Sequence, residues 1–342
     1  MILGAGAVGG TLGGRLAQAG NDVVLVARGE HLAAIRRDGL RLRTPEEDIT
    51  VSVASAATPE DVELRRDDVL VATAKTQQLA ALLPIWADAP VRDDAGRVAG
   101  SAGESLPVLT ATNGVAAEDI ALRYFARVYG VCVWLPAARL VPGEVVARGT
   151  PMSGVLHIGR VPIALATGDD QTLRQVSADW TAARFTVHCP NDVMAWKYRK
   201  LISNLGNVFE ALVGRTKDIR PMLEAAEREA LAVLEGAGVG YTSDEEEAAV
   251  RATGFSVRSV PGVEEYLGGS TWQSLTRGTG DIETDYLNGE IALLAHRHGL
   301  SAPINTRLAE LGRRAASAGR RPGELSPADL AATLGAPVVA QP

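Results

Sequence analysis

Gly4-Ala5-Gly6-Ala7-Val8-Gly9, followed by Val23-Val24-Leu25-Val26-Ala27-Arg28, is the stretch that decides the fold. The first block is a GxGxxG turn, and the second reads as a buried parallel strand. Between them Leu12, Leu16 and Ala19 recur at helical spacing, and Gly20 is placed to end that helix. The pattern predicts a strand–turn–helix–strand unit of the dinucleotide-binding kind. Gly4 allows the tight turn, Gly6 lets the backbone approach a pyrophosphate, and Gly9 lets the helix pack close to the strand. Ala5, Ala7 and Val8 complete the loop, whose helix N-terminus offers free N–H groups and a positive dipole end to phosphates. Only Met1-Ile2-Leu3 precede the glycines. Either the first strand is very short or the true N-terminus lies upstream.

Arg28 bears on the choice of nucleotide. A site for NAD usually carries Asp or Glu at the end of the second strand, to accept from the ribose 2′-OH. Here an arginine stands there, Gly29 follows, and Glu30 arrives two residues late. A guanidinium matches a 2′-phosphate, so NADP(H) is expected over NAD(H).

The rest of the first half alternates strand and helix. Strands are expected at Val51–Ala54, Val69–Ala74, Pro107–Thr112, Val128–Trp134, Glu144–Ala147, His157–Gly159, Pro162–Ala166 and Phe185–His188, and helices at Gln77–Trp86 and Thr172–Ala183. Such alternation builds a parallel sheet covered by helices. The Asp93–Ser105 segment, rich in Gly, Asp and Ala, reads as a mobile surface loop. After Pro190 helical patterns take over: Val193–Val213, Met222–Gly236, Glu245–Thr253, Asp285–His298 and Asn305–Ala318, with a capping box at Ser243 and Glu246. The expected architecture is α/β plus all-α. Residues 1–190 form an N-terminal Rossmann-type NADP-binding domain, 191–319 a C-terminal helical substrate domain and 320–342 a tail.

Composition agrees with a two-domain enzyme. The 342 residues are 46% hydrophobic and 22% charged. A net charge of −7 disfavours nucleic acid as a partner. No run approaches a membrane span and no signal peptide is evident, which points to the cytoplasm. Cys132 and Cys189 are too few for a disulfide framework, and both read as reduced core residues. His296 and His298 are two apart, wrong for ligands on one helical face, so no metal is expected.

Three polar residues fall at strand ends: Lys75, Gln78 and Asn113. Further on, Lys200, Asn204 and Asn207 stand at i, i+4 and i+7, a polar stripe on one predicted helix. Asparagine is a poor helix former, so two within four residues ask for a reason. A solvated face is the plain alternative to a cation and two amides aimed into a cleft. Ser270-Thr271 and Glu283 add a hydroxyl pair and a carboxylate.

These blocks together resemble the ketopantoate reductase family. The glycine loop, Lys75-Thr-Gln-Gln78, Asn113-Gly114, Lys200-Leu-x-x-Asn204, Glu283-x-Asp285-Tyr286-x-Asn288-Gly289 and Pro303-x-Asn305 agree in order and approximate spacing over residues 1–310. The resemblance implies an NADPH-dependent reduction of a 2-oxo acid, above all 2-dehydropantoate. It implies Lys200 as general acid and Glu283 as the carboxylate near it. Asn113, Asn204 and Ser270 are implied as substrate contacts, with Lys75, Gln78 and Asn113 beside the cofactor. Arg28 resembles the contact to the 2′-phosphate. The chain also departs from the pattern. The family's second helical asparagine commonly lies eight residues after the lysine, where Val208 stands, and Asn207 is one residue early. The spacing from Ser270 to Glu283 is one longer, which leaves Ser270 and Thr271 both open as the carboxylate contact. Val131-Cys132-Val133-Trp134-Leu135-Pro136 is bulky and apolar. Two other readings therefore stand: the same fold reducing another 2-oxo acid or ketone, and a non-catalytic NADP-binding regulatory protein. Helical domains of this sort often pair, so a homodimer is left open.

Overall fold

The computed structural model describes residues 1–166, 170–252, 255–278 and 280–335. The expected helix end at Thr253 and the tail beyond Gly335 lie outside the described residues. The chain divides into two compact units. The first holds Met1–Lys197 together with Ser243–Glu265, and the second holds Tyr198–Thr242 and the chain from Tyr266 onward.

The first unit is built on one eight-stranded sheet. Its strands are β1 (Ile2–Leu3), β2 (Val24–Val26), β3 (Ala54–Ala56), β4 (Leu70–Ala72), β5 (Pro107–Thr110), β6 (Arg127–Trp134), β7 (Gly154–Val161) and β8 (Phe185–His188). Their order across the sheet is β8-β7-β6-β5-β4-β1-β2-β3. The six strands from β3 to β6 are parallel, in the doubly wound order 3-2-1-4-5-6. β7 joins antiparallel to β6, and β8 runs parallel to β7. The first strand is indeed only two residues long. It holds because Ile2 and Leu3 are buried and paired on both sides, with Leu25–Val26 and Val71–Ala72.

Gly4 turns the chain at φ +117°, a conformation that L side chains rarely adopt. A Cβ at Gly9 would lie 2.2 Å from Gly4 O and 2.9 Å from Ile2 Cγ2, so only glycine lets helix α1 (Ala7–Gln18) sit this close to β1. The switch point falls between β1 and β4, where ligands of doubly wound sheets bind.

Several local expectations change. Pro162–Ala166 is not a strand: Ile163–Leu165 forms a single 3-10 turn. The strand expected at Val51–Ala54 is two shorter ones, Asp48–Val51 and Ala54–Ala56. Asp93–Ser105 is not a loop without structure. Val98–Ser101 pairs with Pro90–Arg92, and a one-turn helix follows, held by a capping box from Ser101 and Glu104. Cys132 is buried as expected, but Cys189 is exposed. The capping box at Ser243 and Glu246 forms as read.

The Ser243–Glu265 segment belongs to the first unit because Phe255–Val257 pairs antiparallel with Gly149–Pro151. Arg251 also lies over the ring of Trp134, 4.8 Å from its centre.

The second unit is helical. Its core gathers Val208, Phe209, Leu212, Met222, Leu308 and Leu330. Two of the motifs that carry the resemblance have structural work here. Asn305 donates to Ala226 O and accepts from Asn288 Nδ2 at 3.0 Å, and both asparagines are fully buried. Glu229 accepts from the backbone N–H of Ile304 and Asn305, closing the start of the Pro303–Ser317 helix.

Candidate active site

The carboxyl edge of the first unit's sheet collects the residues that the sequence singled out there. Register makes this concrete. Thr110 of β5 stands beside Ala72 of β4, so Asn113 and Lys75 each lie three residues past matched strand positions. Leu3 pairs with both Ala72 and Val26, which places the glycine loop and Arg28 at the same edge. The Thr76 hydroxyl donates to Asn113 O at 3.3 Å and ties the two strand-end loops together. Lys75 is the N-cap residue of helix α3 (Thr76–Ala87), and Gln78 is exposed on its first turn.

The loop fits a pyrophosphate. Gly6 is the N-cap residue of α1, and a Cβ built on it meets nothing within 4 Å. The first turn of α1 carries no acidic residue to oppose an anion. Thr73 donates to Gly4 O at 2.6 Å and steadies the turn. Arg28 is exposed at the end of β2, as the N-cap residue of helix α2 (Gly29–Asp38), and makes no ion pair among the described residues.

Beneath Asn113 lies a charged pair that the sequence did not reveal. Lys197 Nζ donates to Glu118 Oε1 at 2.5 Å, and both side chains are 1% exposed. Lys197 also reaches Thr112 O at 3.4 Å, and Thr110 Oγ1 donates to Glu118 at 2.6 Å. Glu118 Oε2 and Thr112 Oγ1 are buried without a hydrogen-bond partner. Buried charges of this kind gain little net stability but hold one geometry. Here that geometry is the end of β5, next to Asn113. The partners are 79 residues apart, and no periodicity links them.

In the second unit, the polar stripe is not continuous. The helix Val193–Asn204 ends at Asn204, and after Leu205 a new helix runs from Gly206 to Val213. Asn207 therefore opens a second helix, where it sits beside Gly269. A Cβ on Gly269 would come within 3.3 Å of Asn207 Oδ1. Val208, at the family's second asparagine position, is a core residue, 1% exposed. Lys200 and Asn204 are half-buried.

Glu210 fixes the approach to Ser270. It accepts from the Tyr266 hydroxyl at 2.6 Å and from Gly269 N–H at 2.7 Å. Burial, and then the Glu210 carboxylate, push the Tyr266 phenol well above its ordinary value. Ser270 begins the helix Ser270–Thr276 and is half-buried, whereas Thr271 points inward and is 3% exposed. Of the two hydroxyls left open, Ser270 is the accessible one. Glu283 is buried at the turn before Asn288, while Asp285 of the same motif is exposed and paired with Arg313.

With this geometry in place, comparison with known proteins is decisive. Residues 1–162 match the family described as ketopantoate reductase PanE/ApbA, and residues 192–316 match its C-terminal counterpart. The chain belongs to the ketopantoate reductase family. It is thereby a nicotinamide-dependent oxidoreductase of the class acting on CH–OH groups. The 2-dehydropantoate 2-reductase of Pyrococcus horikoshii is 27% identical over 313 residues, covering 89% of this chain and 93% of the relative. That of Archaeoglobus fulgidus is 26% identical, covering 91% and 96%. Among solved structures, a PanE/ApbA family ketopantoate reductase from Ralstonia eutropha JMP134 superposes with a TM-score of 0.72 at 27% identity, over 93% of this chain and 98% of that one. D-mandelate dehydrogenase with NADH and anilino(oxo)acetate shares the fold, with a TM-score of 0.73 at 21% identity and the same coverage.

Among the described residues, no cluster of His, Cys, Asp and Glu is arranged to hold a metal ion, and no helix is long and apolar enough to cross a membrane.

Proposed function

We propose that this ketopantoate reductase family member uses NADPH to reduce a 2-oxo acid, 2-dehydropantoate, to the 2-hydroxy acid. The observation that carries this reading is that both halves of the chain match their family counterparts, with Lys200, Asn204 and Glu283 inside the second match.

The first unit's residues suit the cofactor. The N–H groups of the Gly4–Gly9 loop and of the first turn of α1 would take the pyrophosphate. Arg28 would take the 2′-phosphate through paired N–H donors. Lys75, Gln78 and Asn113 would stand beside the ribose and nicotinamide. When bound, NADPH supplies the hydride. The chain's own part is the proton. Lys200 donates from its ammonium to the substrate's carbonyl oxygen as that oxygen gains the electron pair, and takes a proton back from water afterwards. Glu283 would orient and hold the ammonium charged. Asn204 and Asn113 would hold the substrate's hydroxyl or carboxylate, and Ser270 the carboxylate. Asn207, beside Gly269, adds an amide next to Ser270.

A panel of 2-oxo acids assayed by NADPH consumption tests the substrate. 2-Dehydropantoate is expected to show the highest kcat/KM, and a clearly better acid or ketone would overturn that assignment. The cofactor assignment has its own test. Arg28→Glu is expected to weaken NADPH by about 100-fold, since charge-assisted bonds are lost and a like charge is introduced. NADH should weaken far less. Equal losses for both would remove Arg28 from 2′-phosphate recognition.

A further inference from the structure

His31 lies on α2, three residues past Arg28, and is 6% exposed. Its imidazole joins two distant pieces of backbone. Nε2 is 2.6 Å from Ala5 O, and the N–H of Gly143 donates to Nδ1 at 2.8 Å. The second bond requires Nδ1 to be a bare acceptor, so the ring is neutral with its proton on Nε2. Ala5 O belongs to the same rigid peptide as Gly6 N–H, which itself donates to Gly4 O at 2.8 Å. His31 thus holds one side of the peptide plane that leads into the N-cap of α1. The other end of the clasp is equally constrained. Gly143 has φ +79°, a Cβ there would meet Ala34 Cβ at 2.9 Å, and its carbonyl accepts from Arg41 N–H at 2.9 Å.

We propose that His31 is a positioning residue for the nicotinamide nucleotide: as the neutral Nε2–H tautomer it clasps the Ala5–Gly6 peptide to the Gly143 turn, and protonation of Nδ1 opens the clasp and weakens the nucleotide. An imidazolium cannot accept from Gly143 N–H, so two donors would face each other. The surroundings oppose that protonation. Burial pushes the His31 pKa down, and Arg139 across the fold adds to it, against the Ala5 carbonyl that favours the charge. Glu144, beside the turn, is engaged by Arg41 and Arg43. Arg28 before α2, and Glu30, Arg36, Arg37 and Asp38 on it, are all exposed, and the glycine loop carries no charge.

The proposal rests on the glycine loop being a nucleotide site, and not on which 2-oxo acid is reduced. Its test reads binding alone, by calorimetry with NADP⁺ and NAD⁺ on wild type, His31→Gln and His31→Leu. NAD⁺ lacks the 2′-phosphate, whose own ionisation falls near pH 6. Wild type is expected to hold its affinity for both nucleotides through the ordinary histidine range near 6.5 and to lose roughly fivefold or more as the pH falls through the lowered His31 value. His31→Gln, which keeps a donor and an acceptor, should match wild type at pH 7.5 and lose that slope for NAD⁺. His31→Leu should bind about tenfold more weakly at pH 7.5, the worth of one hydrogen bond. A His31→Gln profile that superimposes on wild type overturns the proposal, as does wild-type affinity in His31→Leu. If His31→Leu does not fold, the His31→Gln profile still decides. Wild type that binds NADP⁺ yet reduces no 2-oxo acid would strike the substrate reading and leave the clasp supported. Wild type that binds neither nucleotide would overturn both.

Discussion

Lys200→Ala is expected to lower kcat for 2-dehydropantoate reduction by roughly 100-fold or more, the usual worth of a positioned general acid. NADPH binding should stay close to wild type, because the nucleotide-binding residues assigned above all lie in the other compact unit. The reason is the charge that appears on the carbonyl oxygen during hydride transfer. Without a proton donor, water must supply the proton with no fixed position, and no positioned charge meets the alkoxide as it forms. The half-buried setting of Lys200 suits a group that must be reachable by substrate and still reload from water. A steady-state comparison of kcat, KM and NADPH affinity measures this. Unchanged kcat in the variant would remove Lys200 from the chemistry and leave a nucleotide-binding protein with no assigned acid.

The second large effect concerns stability in mild acid. His157 sits on β7, in register with Cys132 on one side and His188 on the other, and is 1% exposed. Its ring stacks on Trp196, with centroids 3.9 Å apart, and on His188 at 5.0 Å. Neither ring nitrogen has a hydrogen-bond partner. Burial, and secondarily the neighbouring His188, lower its pKa from 6.5 to about 3. The unfolded chain takes up this proton near pH 6.5, while the folded chain refuses it until about pH 3. The folded state's advantage is therefore complete above pH 6.5. It declines as the pH falls toward 3, by about 1.4 kcal/mol per unit. Between pH 6.5 and 4.5 the loss from this group comes to roughly 2.7 kcal/mol. His157→Phe keeps the stacked ring and buries no unpaired nitrogen, so it should be near neutral or stabilising at pH 7.5 and should flatten the acid slope. Denaturant unfolding at a series of pH values checks both points. A His157→Phe protein with the wild-type slope would show that the acid sensitivity lies elsewhere, His188 being the nearest alternative.

Much of this molecule was legible in the chain because the signals are local. The GxGxxG turn, the strand that follows it and Arg28 fall within 28 residues, and each reports on backbone that its immediate neighbours dictate. The Ser243–Glu246 capping box forms as read for the same reason: a cap needs only four consecutive residues. The strand ends before Lys75 and Asn113 were readable from apolar runs. Periodicity failed where a break costs almost nothing in sequence. Leu205 is in helical conformation itself, and the interruption there is a matter of hydrogen bonding that leaves no composition mark. Pro162–Ala166 looked like a strand because its residues are apolar. It forms a 3-10 turn just past the end of β7, whose pairing with β6 runs to Val161 opposite Val128. Ser270 and Thr271 differ in burial, which adjacent hydroxyls do not reveal in sequence.

The sequence by itself determined the parallel sheet of the first half, the helical character of the second half and the glycine loop. These follow from short-range backbone geometry and the spacing of apolar side chains. Only the tertiary structure decided that Ser243–Glu265 returns to the first unit, that Lys197 and Glu118 form a buried pair next to Thr112, and that His31 meets both Ala5 and Gly143, the latter 112 residues away. Each of these is a pairing between distant segments whose partners are chosen by folding, and no local pattern in either segment encodes the other.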